Sequence, residues 1–144
     1  MVFCSGRHYY ALLKEARVER KLGPEDVAII RLEQLAPFPF DALRSTLQRL
    51  DLGPGQGAKT EWVWAQEEAR NQGAATHVLP RLEALRLELE GREGRGNGTG
   101  YGKDGPGNKV RYAGRKESAV PATGVGVWHK AELGPLVAAP FEGI

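Results

Sequence analysis

Two polar runs hold the residues that could do chemistry in this chain. Arg31, Glu33 and Gln34 lie in Arg31-Leu32-Glu33-Gln34-Leu35-Ala36-Pro37-Phe38-Pro39-Phe40. Gln66, Glu67, Glu68, Arg70 and Asn71 lie in Val63-Trp64-Ala65-Gln66-Glu67-Glu68-Ala69-Arg70-Asn71-Gln72-Gly73. Each run follows an apolar stretch that reads as a buried strand. Parallel strands would set these groups side by side at one sheet edge, where α/β proteins build their sites. Glu33, Glu67 and Glu68 have the chemistry of paired carboxylates for acid–base work. The competing role is structural, because polar groups that end buried strands also cap helices, satisfy loop amides and form ion-pair networks. With neither a nucleophile nor a cofactor motif beside them, structural or interface roles are favoured. Arg31 calls for a partner, since an unpaired buried charge is costly; Glu33, Glu67 and Glu68 are the candidates.

Other motifs carry less. Gly100-Tyr101-Gly102-Lys103-Asp104-Gly105 matches G-x-G-x-x-G in letters only. A dinucleotide fingerprint needs a strand before it and a helix after it, and here the order is reversed. Asp104 also stands where a P-loop needs Ser or Thr. The sequon Asn97-Gly98-Thr99 matters only in a secreted chain. His8, His77 and His129 lack the close spacing of zinc ligands. Ser5 near His8 resembles a nucleophile–base pair, but no acid is placed to orient the imidazole and no G-x-S-x-G elbow occurs. Trp62 and Trp64 share one face of a strand, and burial under a helix explains them better than base stacking.

The elements that must position these groups alternate. Val2–Cys4 reads as a strand, followed by a helix to about Lys21 that Gly23-Pro24 ends. Val27–Ile30 is a β-branched run suited to a strand covered on both faces. Asp41 is placed to cap a second helix striped by Leu43, Leu47 and Leu50. Residues 53–58 form a loop, and Trp62–Ala65 is the third strand. A helix over 74–90 carries Val78, Leu82, Leu85 and Leu89, and either starts near Pro80 or kinks there. Residues 91–108, glycine-dense and nearly free of aliphatics, read as a disordered insertion. Lys109–Ala113 alternates like an edge strand, residues 114–127 are irregular, and a last helix near Trp128–Leu133 breaks at Gly134-Pro135. Such alternation predicts an α/β fold with three layers, a mostly parallel sheet and helices on both faces.

The 144 residues suit one domain. A net charge of +2 argues against a dedicated nucleic-acid binder. Cys4 is the single cysteine, so no internal disulfide forms and a reducing compartment is implied. No apolar run is long enough to cross a bilayer, and polar residues from Ser5 onward rule out a signal peptide. A strand opens the chain at once, so it is read as a fragment or a clipped gene product.

Four ordered motifs then carry a resemblance. Val2-Phe3-Cys4-Ser5-Gly6-Arg7-His8-Tyr9-Tyr10, Val27–Pro39, Trp64–Gly73, and Arg111-Tyr112-Ala113-Gly114-Arg115 with Ser118–Gly124 follow, in order and spacing, the C-terminal domain of the decarboxylating first component of 2-oxoglutarate dehydrogenase. Residues 91–108 depart from it, as do Ala65 and Ala69, where Cys and Pro are common. The resemblance implies a transketolase C-terminal-type fold that admits one antiparallel strand. It implies a homodimeric parent enzyme of the tricarboxylic acid cycle that uses thiamine diphosphate and Mg2+ and passes a succinyl group to dihydrolipoyl succinyltransferase. Dihydrolipoyl dehydrogenase would complete that complex. The cofactor's Gly-Asp-Gly motif with paired Asn does not occur here. The thiamine-binding domains are therefore expected upstream, and no catalytic residue is assigned to this chain. Arg31, Arg70 and Arg115 become candidate anion contacts for an acyl-CoA effector, since guanidinium pairs bidentately with phosphate. Glu33, Gln34, Gln66, Glu67, Glu68 and Asn71 complete the regulatory or interface set. The alternatives are the sister enzyme for 2-oxoadipate and a stand-alone nucleotide- or acyl-CoA-binding or interaction module. The compartment would be the mitochondrial matrix in a eukaryote and the cytoplasm in a bacterium.

Overall fold

Three apolar runs and one alternating segment become four parallel strands. β1 (Val2–Ser5), β2 (Ile29–Leu32), β3 (Val63–Ala69) and β4 (Arg111–Arg115) form one sheet in the order β2-β1-β3-β4. The computed structural model describes residues 1–50, 60–90, 110–120 and 126–144; in the last stretch side chains are described from residue 132 onward. The readings placed on residues 53–58, on 91–108 with its glycine motif and sequon, and on the His129 side chain lie outside the described residues.

The helices are α1 (His8–Lys14), α2 (Phe40–Arg49), α3 (Ala75–Leu89) and α4 (Gly126–Ala138). Side chains alternate across each strand, which divides the core in two. Phe3, Trp62 and Trp64 pack with Leu43 and Leu47 of α2 and Val78, Leu82 and Leu85 of α3. Val2, Cys4, Val63, Ala65 and Ala113 pack on the opposite face with Leu12 of α1, Val137 of α4 and Phe141. The chain moves one way across the sheet through α1 and the other way through α2 and α3. A constant right-handed crossover must then place these helices on opposite faces. The three-layer α/β arrangement is the one that the alternation predicts, and among the described residues every pairing is parallel.

Several local expectations are corrected. The first helix runs close to Lys21, as expected, but is not α-helical throughout. It widens into a π turn over Glu15–Glu19 and stops where Lys21 takes a φ of 57°. The cause is Arg17, whose guanidinium donates to Leu22 O (2.6 Å), Gly23 O (2.6 Å) and Val27 O (3.0 Å) and draws the loop back onto the helix end. That engagement leaves Val27 ahead of β2, whose register is set by Val2 against Ile29. Asp41 does not cap α2; Pro39 holds that position without a side-chain bond. Asp41 lies inside the first turn and pairs with Arg44 (2.6 Å), which also reaches Glu88 of α3 (2.8 Å). Leu43 and Leu47 are buried as expected, whereas Leu50 at the helix end is exposed. α3 starts well before Pro80, and both Thr76 and Pro80 face solvent, so the carbonyl that loses its donor is on the wet side. Gly134-Pro135 does not break α4, because burial of Leu136 and Val137 keeps the last turns docked.

The end of the chain is pinned from two sides. A 3-10 turn (Ala139–Phe141) follows α4, and the Phe141 ring is fully buried. Arg20 donates to Phe141 O (3.1 Å) and Ala138 O (3.4 Å). Arg111 donates to Ala139 O and Pro140 O (both 3.1 Å).

Cys4 lies in the second core with its thiol pKa pushed up to about 12 by burial. A thiol so rarely ionised is a poor nucleophile. The folded chain is expected to resist alkylation at pH 8 for hours and to label fully in denaturant. Rapid labelling of the native chain would show that this face opens.

Candidate functional site

The predicted site residues fall into two groups at the C-terminal end of the sheet. The first sits on β2. Ile29 and Arg31 share the face that α1 covers, so the Arg31 guanidinium lies under the two tyrosines that begin that helix. Its Cζ is 5.0 Å from the Tyr9 ring centre and 5.4 Å from that of Tyr10, and Nη1 donates to the Tyr10 hydroxyl (3.1 Å). Of the three proposed acidic partners, Glu33 is the one Arg31 pairs with. Arg31 is exposed rather than buried, so no deep desolvation had to be offset. Gln34 donates to Pro37 O (3.0 Å) and closes the turn into α2.

The second group lies between β3 and β4. From Ala65↔Ala113 to Ala69↔Arg115, β3 carries three residues where β4 carries only Gly114. An irregularity of this kind leaves backbone groups without ladder partners. Gln66 supplies them. Its side chain follows Trp64 on the same strand face and is 3% exposed. Oε1 accepts from Trp64 Nε1 (2.9 Å), and Nε2 donates to Ala69 O (3.0 Å) and Gln72 O (2.9 Å), with Glu68 O at 3.3 Å. Tyr112 closes the same irregularity from β4. Its hydroxyl lies 3.1 Å from Glu68 O and 2.9 Å from Arg115 O, and its ring carries the Arg70 guanidinium at 5.5 Å. To reach there the ring folds along its own strand over Gly114.

Asn71 reads the backbone of Ser118 in both directions: Nδ2 donates to Ser118 O and Oδ1 accepts from Ser118 N, each at 3.0 Å. Gln72 Nε2 donates to Ser118 O and Val120 O (both 3.1 Å). The segment after β4 is thus held by side-chain amides in place of a strand ladder. Asn71→Ala is expected to cost about 1 kcal/mol and to speed amide exchange at Ser118 and Val120 selectively. Unchanged exchange there would show that Gln72 alone suffices.

Glu67 meets Arg7 across 3.9 Å, a loose pair with Arg7 almost fully exposed. Arg115 pairs with Glu132 of α4 (3.3 Å). Arg31 and Arg115 occupy opposite edge strands, three strand spacings or about 14 Å apart, so one phosphate cannot join them. His8 is the first residue of α1, buried, with neither ring nitrogen hydrogen-bonded among the described residues, so Ser5 and His8 do not form a nucleophile–base pair. His77 Nε2 lies 2.9 Å from Leu35 O. Among the described residues no group of three His, Cys, Asp or Glu side chains is placed to hold a metal ion. No helix of the described part is long and apolar enough to cross a membrane.

Among the described residues the polar side chains between β3 and β4 organise backbone. Sequence reasoning missed Gln72, Tyr112 and Gly114 as members of this frame. The signal for the last two was present: a tyrosine two residues from a glycine puts both on one face of an edge strand.

Comparison with known proteins agrees with the motifs. The family described as 2-oxoglutarate dehydrogenase C-terminal matches residues 1–141. The mitochondrial 2-oxoglutarate dehydrogenase of Caenorhabditis briggsae is 35% identical over 142 residues, 98% of this chain and 11% of that protein. The 2-oxoglutarate dehydrogenase E1 components of Brucella anthropi and Brucella ovis are each 38% identical over 133 residues, 92% of this chain and 11% of theirs. The chain therefore spans about a tenth of the length of the curated relatives it matches. With its fold, its ordered motifs and a match across nearly every residue in agreement, this chain belongs to the 2-oxoglutarate dehydrogenase C-terminal family.

Proposed function

We propose that this chain is the closing domain of a thiamine-diphosphate-dependent 2-oxoglutarate dehydrogenase, a frame for the dimer and for the active-site entrance and not a reaction centre. One observation carries this reading: the motif residues Gln66, Asn71, Tyr112 and Gly114 are spent on holding backbone. The parent enzyme decarboxylates 2-oxoglutarate within the tricarboxylic acid cycle. Thiamine diphosphate and Mg2+ are held by preceding domains of a homodimer. Its succinyl group passes to dihydrolipoyl succinyltransferase, with dihydrolipoyl dehydrogenase as the third component. The compartment is the mitochondrial matrix in a eukaryote and the cytoplasm in a bacterium.

Sequencing the transcript upstream tests the reading. An in-frame thiamine-binding region supports it, and an in-frame stop codon supports a stand-alone module. Assay of a full-length clone with 2-oxoglutarate and 2-oxoadipate then separates the two sister enzymes. The 144-residue chain alone, given thiamine diphosphate, Mg2+ and 2-oxoglutarate, is expected to show no turnover; measurable decarboxylation would overturn the assignment. An acyl-CoA effector belongs to the same proposal. Arg31, Arg70 and Arg115 are its anion contacts, and their spread over both sheet edges suits an extended ligand with separated phosphates. Acyl-CoA binding by the full enzyme that is unchanged in Arg31→Ala and Arg115→Ala would remove this part.

A further inference from the structure

His8 has a place in the fold that the proposed function does not use. β1 pairs with β3 only through Val2↔Val63 and Phe3↔Trp64, although β1 continues to Ser5 and β3 to Ala69. The chain leaves β1 toward β2 on one side while β3 flanks the other, so these two strand ends part at the topological switch point of the sheet. The first turn beyond β1 is Ser5-Gly6-Arg7-His8. His8 is 3% exposed, and among the described residues both ring nitrogens lack a hydrogen-bond partner. A buried polar group left unsatisfied in this way needs an explanation. The charged groups acting on the ring are Glu67 and Glu68 at the end of β3. Among the described residues, Glu67 is held only by the long contact to Arg7. Gly6 has a φ of 56°, and a Cβ placed there would meet nothing within 4 Å, so the turn is unhindered at the residue before Arg7.

We propose that His8, Glu67 and Gly6 form a proton-operated latch at this switch point: when His8 takes a proton from solvent, Glu67 leaves Arg7 for the imidazolium and the Ser5–Arg7 turn swings about Gly6. The neutral ring packs dry and needs no partner of opposite charge. The protonated ring cannot stay buried without one, and Glu67 is the carboxylate already beside the turn. Arg7, almost fully exposed, loses little when the pair opens. Glu68 on β3 is the second carboxylate acting on the ring, and among the described residues three further groups on the surrounding elements are engaged or inert. Cys4 on β1 keeps its proton, Arg31 on β2 is taken by Glu33 and the tyrosines, and Glu132 of α4 is paired with Arg115 of β4. Burial holds the His8 pKa below its ordinary value, against the pull of the two carboxylates. The unfolded chain therefore takes up the proton first as pH falls. Stability is full above the ordinary histidine range and declines below it.

The test is an NMR titration of the 144-residue chain from about pH 8 to about pH 5, following the His8 ring and the Gly6 and Arg7 amides. The Gly6 and Arg7 amides are expected to move with the His8 midpoint, which lies below the ordinary value. In Glu67→Gln that midpoint falls further, because the carboxylate that stabilises the imidazolium is gone, and the amide movements shrink. A His8 midpoint unmoved by Glu67→Gln overturns the latch. So do amides that ignore His8, and so does whole-chain unfolding before the ring titrates.

Discussion

Replacing Gly114 by alanine lowers the stability of this chain by about 3 kcal/mol, a loss read as a shift in the denaturation midpoint at constant slope. A Cβ at residue 114 would overlap the Tyr112 hydroxyl, lie 2.6 Å from Tyr112 Cζ and stand 3.0 Å from Gln66 O. Neither neighbour can step aside cheaply. The hydroxyl sits between Glu68 O and Arg115 O, the ring carries Arg70, and Gln66 O is backbone. Moving the tyrosine abandons carbonyls that the irregular β3–β4 pairing leaves with few other donors. The cause is separable from a generic strand effect. Tyr112→Ala removes the main overlap, so the double variant should lose less than the two single losses together, by about 1–2 kcal/mol. Simple additivity would show that the clash lies elsewhere.

Gln66→Glu is expected to cost about 4 kcal/mol at neutral pH, or about 8–16 °C in melting temperature for a chain of this size. The substitution keeps the shape and still accepts from Trp64. It replaces an amide donor with a carboxylate oxygen facing Ala69 O, Gln72 O and Glu68 O, in a side chain that is 3% exposed. Acceptors then meet acceptors, and the charge is buried without a cation. The sign of its pH dependence follows. Burial raises the folded pKa of the new carboxyl above its unfolded value, so the variant recovers relative to the wild type as pH falls and the acid regains an O–H donor. A loss independent of pH would mean that the side chain escapes to solvent, and a loss under about 1 kcal/mol would mean that the amide bonds do not hold the irregularity.

These two residues also show what a sequence can disclose. The strand–helix alternation, the two-sided burial and the edge position of β4 follow from apolar periodicity alone, because hydrophobic burial is local in pattern though global in effect. Boundaries shifted where a particular side chain intervened. The first helix widens over Glu15–Glu19, where Arg17 holds three loop carbonyls, and α2 begins at Phe40, which puts Asp41 inside its first turn. The polar runs were located correctly, but their part was harder to read. Gln66, Asn71 and Gln72 look like ligand-facing groups in one dimension. Only the mismatch between β3 and β4 shows why they must turn inward, and strand register is a relation between distant segments. Arg31 and Arg115, named together as candidate anion contacts, lie on opposite edge strands with two strands between them.

The tethering of Ala139–Phe141 bears on how the polypeptide matures. Arg20 and Phe141 are 121 positions apart, yet the aromatic ring plugs the same layer that the first helix begins to build. While the tail is still inside the ribosome, that layer has a hole in it, and Arg20 and Arg111 have no carbonyls to grip there. The opposite layer, whose buried side chains come from residues 1–85 with Val110 and Tyr112 packed against them, can be largely assembled earlier. During synthesis residues 139–141 therefore leave the ribosome well after the strands they seal, so one layer can close before the other.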